Sequence, residues 1–187
     1  MKLYGRLLLG GEIKVKTGLH IGSSGGAFEI GGVDNAVITD QVTGQPYIPG
    51  SSLRGKLRSL TEKARGEVDG QAIDQVTIHS CHDDKQPKEA NRARYVVCPI
   101  CNIFGIAAQD YNHPTRLIVR DIPLCSDSAK MLRAAKTSLP YTEVKTEVAI
   151  DRVTSQAVPR PVERVPAGAV FGPMELVYNI YSEQDVT

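Results

Sequence analysis

His79-x-Cys81, followed by Cys98-Pro99-Ile100-Cys101, is the arrangement in this sequence with the most definite chemistry. A C-x-x-C pair turns two sulfurs toward one tetrahedral ion, and a second pair of ligands completes the shell. The spacing predicts a Zn²⁺ site held by His79, Cys81, Cys98 and Cys101. His82, three residues beyond His79, is the alternative histidine ligand. Four protein ligands leave no open position for water, so such a site is structural. The competing reading is a set of reduced core cysteines with a histidine beside them by chance. The chain has four cysteines, the last being Cys125. In a reducing compartment a clustered set reads as metal ligands more readily than as disulfides.

Three further segments carry chemistry, each with a plainer alternative. Asp34, in Gly31-Gly32-Val33-Asp34-Asn35, lies in a glycine-rich stretch where a carboxylate can act as a general base or hold a metal ion near a scissile phosphate; otherwise it shapes a turn with Asn35. Pro49-Gly50-Ser51-Ser52-Leu53-Arg54-Gly55-Lys56 opens a helix whose free N–H groups, hydroxyls and cations suit a phosphate; otherwise it is an N-cap with a solvated basic face. It is not a Walker loop. His20 is either an RNA contact or acid–base group, or a structural histidine beside a strand. The ligand order loosely resembles that of the zinc deaminases, but Cys81 stands where their H-x-E glutamate would be, which rejects that reading.

The elements that must position these residues follow from pattern. Residues 2–16 alternate partly and predict a strand, or a hairpin broken at Gly10-Gly11. The clearest helix starts at Pro49-Gly50-Ser51-Ser52, with a serine N-cap, and ends near Gly66. Its apolar face is Leu53, Leu57, Leu60 and Ala64, and Arg54, Arg58 and Lys63 lie on other faces. Residues 66–97 are polar and carry no clear element. Short strands are expected at Ala36-Val37-Ile38 and at Leu117-Ile118-Val119, a helix over 127–136, an extended hairpin over 141–166 and a final strand over 169–181. Strands mixed with few helices indicate an α+β domain, with a ferredoxin-like sheet as candidate.

The 187 residues suffice for one core, with 41% hydrophobic and 23% charged residues. Net charge is +1, so a nucleic-acid surface must be local, as in Arg54, Lys56, Arg58, Lys63 and Arg65 facing the lone acid Glu62. No run is long and apolar enough to cross a membrane. Met1-Lys2-Leu3-Tyr4-Gly5 does not open a signal peptide, so the cytoplasm is the expected compartment.

Taken together, Thr17-Gly18-Leu19-His20-Ile21-Gly22, Ile30-Gly31-Gly32-Val33-Asp34-Asn35 and Tyr47-Ile48-Pro49-Gly50-Ser51-Ser52-Leu53-Arg54-Gly55-Lys56-Leu57-Arg58 closely resemble the backbone subunit of type III-A CRISPR effector complexes, within the RAMP (repeat-associated mysterious protein) superfamily. The resemblance continues through Cys98 to Gly105, Thr142 to Glu147, Ile150-Asp151-Arg152 and Glu163 to Gly168. It implies a single RAMP domain over 1–187, with a ferredoxin-like, modified RNA-recognition-motif core. It further implies a zinc-bearing insertion at about 66–105 and a β-hairpin thumb at about 141–166. Copies would stack along a CRISPR guide RNA with other type III effector subunits. Ser51, Ser52, Arg54, Lys56 and Arg58 would hold the guide, with His20 on the same surface and Lys145 and Arg152 on the thumb. Asp34 would be catalytic in cutting the complementary target RNA with Mg²⁺ or Mn²⁺. Members carry a glycine-rich segment near the C-terminus that this chain lacks, which implies truncation, divergence or completion by a neighbour. The rival readings are a non-catalytic scaffold subunit, a guide-processing ribonuclease using His20, and a zinc-stabilised interaction domain.

Overall fold

The computed structural model describes residues 2–23, 36–67, 71–73, 76–106, 114–135, 137 and 139–186. They form two compact units. One comprises Met1–Leu9, Gly50–Arg120 and Glu175–Thr187, the other Gly10–Pro49 and Asp121–Met174. Two long strands, β1 (Gly5–Lys14) and β9 (Val170–Ile180), contribute to both. β1 is one continuous strand, not a hairpin. Its glycines serve a close neighbour instead of a turn: a side chain at Gly11 would meet Met174 Cε at 3.4 Å.

In the first unit, helix α1 (Gly50–Arg65) begins within the Pro49-Gly50-Ser51-Ser52 segment expected from sequence. A β-carbon at Gly50 would fall 2.1 Å from the Val119 carbonyl oxygen, so only glycine lets the helix start against strand β5 (Leu117–Val119). The buried side of α1 is only partly the expected leucine face, with Leu57 packed against the core. Leu60 is 50% exposed, while Arg54, Arg58 and Glu62 turn inward. Pattern counting assigns arginine to solvent, but here the guanidinium groups satisfy carbonyls left open at the ends of neighbouring elements. β5 pairs antiparallel with β9, Leu117 opposite Tyr178.

Residues 66–97, polar in sequence, hold a short hairpin, β3 (Gln71–Ile73) with β4 (Val76–Ile78), and helix α2 (Lys88–Val97). The buried residues of α2 are Asn91 and Tyr95, one turn apart. Too few apolar residues mark this face for a period to be visible. Pro99 then ends α2 and opens α3 (Pro99–Phe104). Tyr95, Ile100, Phe104 and Leu117 pack with Cys81, Cys98 and Cys101 into one core.

In the second unit, β2 (Tyr47–Ile48) pairs with β6 (Ile122–Pro123), and α4 (Ser126–Ala134) follows. Strands β7 (Glu143–Ile150) and β8 (Ala157–Arg164) form an antiparallel hairpin in register from Glu143–Arg164 to Ile150–Ala157. Residues 145–161 of it are exposed throughout. Phe171, Ile122 and Val165 are fully buried in this unit. The architecture is thus mixed α/β with antiparallel sheets.

Candidate metal centre and nucleic-acid interface

The α2–α3 junction sets two of the sulfurs. Cys98 caps α3, and its Sγ accepts the Cys101 N–H at 3.4 Å. That turn is what a C-x-x-C spacing produces: the second cysteine sits in the first helical turn, facing the first. His79 and Cys81 arrive from the segment after β4. His79 Nε2 lies 3.3 Å from Cys98 Sγ and 3.6 Å from Cys81 Sγ. The ligand atoms of His79, Cys81, Cys98 and Cys101 all lie within 4.8 Å of one another, and the four could hold a metal ion. A tetrahedron with ~2.3 Å metal–sulfur bonds has edges of ~3.8 Å, so one ion fits with a contraction of ~1 Å at most.

His82 is not part of this cluster. Its Nε2 is 2.8 Å from Asp84 Oδ1. Cys125 is also apart, with Sγ 3.7 Å from the Gly172 carbonyl.

The electrostatics match a site built for a cation. A hydrogen bond from the Cys101 thiol, outweighing burial, holds Cys98 down at about 4. Burial pushes Cys81 up to about 11, and the hydrogen bond to Cys98 followed by burial pushes Cys101 up as well. Cys98 is thus the thiol most easily ionised of the three, and a bound ion would draw protons off all of them.

On α1 the expected RNA-binding residues divide. Ser51, Ser52 and Lys56 are exposed, and no acidic residue occupies the first turn. Arg54 instead donates to the Phe104 carbonyl at 2.7 Å and to Leu117 O at 3.2 Å. Arg58 donates to the His79 carbonyl at 2.7 Å, to the Gly105 carbonyl at 3.1 Å and to Glu62 at 2.8 Å. Sequence reasoning missed the inward role of Glu62. Its one signal was being the lone acid of a basic helix, four residues after Arg58.

In the second unit, Asp34 lies outside the described residues. The segment that carries it leaves at Ser23 and returns at Ala36, which are hydrogen-bonded at 3.0 Å, and Gly22 pairs with Val37. The Val37 N–H donates to Glu163 Oε2 at 2.8 Å, and Thr142 Oγ1 donates to Glu163 Oε1 at 2.5 Å. His20 Nδ1 donates to the Glu163 carbonyl at 2.6 Å. A carbonyl only accepts, so Nδ1 carries a proton, and in the neutral ring Nε2 is then the acceptor. Buried Glu163 thus knots the hairpin base, His20 and the return of the Asp34 segment. By composition it is one more charge among prolines and arginines, and only the resemblance, whose last segment starts at Glu163, touches it. On the hairpin, Lys145 is exposed and 3.1 Å from Glu147, and Arg152 is exposed in the tip.

The sequence matches the RAMP superfamily over residues 12–185. The protein named CRISPR system Cms endoribonuclease Csm3 of Methanocaldococcus jannaschii is 36% identical over 99% of this chain and 67% of its own length. A crystal structure of the Csm3–Csm4 subcomplex of the type III-A CRISPR-Cas interference complex aligns with 99% of this chain and 60% of that one, at 28% identity and TM-score 0.52. The Methanopyrus kandleri Csm3 crystal structure aligns at TM-score 0.60 and 24% identity, over 97% of this chain and 65% of that one. The chain therefore spans about two thirds of the length of these proteins.

Proposed function

Because the chain belongs to the RAMP superfamily, we propose that it is an RNA-binding backbone subunit of a type III CRISPR effector complex and cuts the target RNA paired to its guide. The observation that carries this reading is the Glu163 knot. It ties the base of the β7–β8 hairpin to the returning end of the segment that bears Asp34. A nuclease that cuts where a thumb opens a duplex needs the thumb and the catalytic segment rooted together.

In this reading the second unit supplies the chemistry. The hairpin is the thumb, and it splays the guide–target duplex so that one target ribose and its phosphate fall in line. The 2′-oxygen attacks the adjacent phosphorus and gives up its proton to Asp34. The bond to the 5′-oxygen breaks, and that oxygen takes a proton from water. The products are a 2′,3′-cyclic phosphate and a 5′-hydroxyl. Bound Mg²⁺ or Mn²⁺ supplies neutralisation of the charge that builds on the phosphate. His20 offers Nε2 to a ribose hydroxyl, and Lys145 and Arg152 meet backbone phosphates along the hairpin.

The first unit supplies the guide contact and a structural ion. Ser51, Ser52 and Lys56 at the start of α1 hold guide phosphates with free N–H groups, hydroxyls and charge. His79, Cys81, Cys98 and Cys101 hold Zn²⁺ within the insertion over about 66–105. The core is ferredoxin-like, of the modified RNA-recognition type, and the whole chain is one RAMP domain. Copies line up on the guide beside other type III subunits in the cytoplasm. No described helix is long and apolar enough to cross a membrane.

The test is target cleavage in Mg²⁺ by the complex assembled on a guide RNA, wild type against Asp34→Ala. Regularly spaced products from the wild type, absent from the variant while guide binding is intact, are expected. A wild-type complex that binds guide and target yet makes no products leaves a scaffold subunit and returns Asp34 to a turn.

A further inference from the structure

By sequence, Arg58 belongs to the face that meets RNA, but its hydrogen bonds run the other way. All three guanidinium nitrogens are engaged by protein acceptors. Two of those acceptors flank the metal cluster. One is the carbonyl of His79 itself. The other is the carbonyl of Gly105, whose N–H caps α3 on the Cys101 carbonyl. The third partner, Glu62 Oε1, also accepts the His79 N–H at 3.2 Å. Both polar atoms of the His79 backbone are therefore held by one ion pair, whose side chains are only 16% and 11% exposed.

A metal-binding histidine is ordinarily aimed by a partner on its other ring nitrogen. His79 Nδ1 is buried and has no hydrogen-bond partner among the described residues. Its Nε2 faces the sulfurs, with Glu67 Oε2 also 3.5 Å away. The ring is thus aimed through its backbone. We infer that Arg58, with Glu62, is a positioning residue of the metal centre, strapping the His79 arm and the α3 arm of the cluster to one turn of α1, and is not a contact to guide phosphates. The inference rests on the zinc reading above. The geometry demands the planar fork of arginine, which reaches carbonyls on two segments at once; a lysine ammonium cannot span them.

The test is Zn²⁺ affinity of the full chain, by competition with a colorimetric chelator, set beside the salt dependence of guide RNA binding by the zinc-loaded protein. Arg58→Lys is expected to lose 10–100-fold in Zn²⁺ affinity, the usual range for such partners. Arg58→Gln is expected to lose at least as much while leaving the salt slope of RNA binding at its wild-type value. Lys56→Gln is the converse, with unchanged Zn²⁺ affinity and a slope shallower by ~0.7, the loss of one phosphate contact to a single strand. Glu62→Gln keeps an acceptor for the His79 N–H and tests the strap where an Arg58 variant fails to fold; its Zn²⁺ affinity is expected to fall by less than that of Arg58→Lys. Wild-type Zn²⁺ affinity in Arg58→Lys or Glu62→Gln, or a shallower slope in Arg58→Gln, overturns the inference and leaves the zinc site standing. A wild-type protein that retains no Zn²⁺ overturns both together.

Discussion

Glu163 shows how much one buried carboxylate can fix. It accepts from Val37 and Thr142 on separate segments. Glu163→Ala leaves both donors buried and unpaired, and is expected to cost ~2–4 kcal/mol of unfolding free energy by chemical denaturation. Glu163→Gln keeps an acceptor for Val37 and, with the Thr142 hydroxyl rotated, a bond there too; most of the loss should be recovered. Asp185 gives the pH dependence at this scale. Burial pushes its carboxyl up, but the Tyr181 N–H and Arg116 outweigh burial and hold it below the ordinary value. A depressed carboxylate stabilises above its unfolded pKa, near ~3.9, and that stability goes as pH falls through the lower folded value. The segment around Glu183–Asp185 should therefore loosen in acid below pH ~4. Asp185→Asn should flatten that acid limb and cost ~3 kcal/mol at neutral pH, because Arg116 is left buried without its counter-charge. The cluster of His79, Cys81, Cys98 and Cys101 is legible in the sequence because C-x-x-C geometry is local, and that His79 and not His82 joins it rests on the direction of two side chains. The inward turn of Arg58 was not legible. Helical spacing tells which residues share a face but not that the face meets carbonyls in place of water.

Strands and helices with a clear period were read well: β5, α4, β9 and the β7–β8 hairpin fall close to where alternation and turn residues put them. In the sequence β1 is ambiguous between strand and hairpin, since two glycines look alike whether they turn the chain or let a neighbour approach. α2 was missed, because its inward residues are Asn91 and Tyr95 and its apolar Val97 is 76% exposed. The hairpin offers a test of its own. Deleting Val148–Pro159 and joining Glu147 to Arg160, which are partners in register, through Asn-Gly gives a two-residue turn suited to the strand twist. The removed residues are exposed, so unfolding free energy should change by under ~0.5 kcal/mol. The assembled complex should still bind guide but lose its regular cleavage pattern, read on end-labelled target RNA. An unchanged pattern would remove the thumb role.

At the scale of the whole chain, the two proposed ions sit in different units, so their removal should separate. The sulfur ligands Cys81, Cys98 and Cys101 belong to the same packed core as Ile100, Phe104 and Leu117. Taking an ion from that core leaves buried thiols and a buried imidazole in place of four bonds, and the loss falls on folding itself. A chelator strong enough to strip zinc should therefore raise hydrogen exchange across 79–104 and lower the thermal midpoint, while the registered pairs of β7 and β8 stay protected. In the proposed mechanism the ion beside Asp34 is a hard divalent one, bound by oxygen and freely exchanging. Brief treatment with a weak chelator, too mild to strip zinc, should stop target cutting, and Mg²⁺ alone should restore it. After stripping by the strong chelator, Mg²⁺ alone should fail and Zn²⁺ followed by Mg²⁺ should succeed. Full recovery with Mg²⁺ alone in protein shown by elemental analysis to be free of zinc would mean that the cysteine core holds its shape without an ion, and that the cluster is a packed set of thiols.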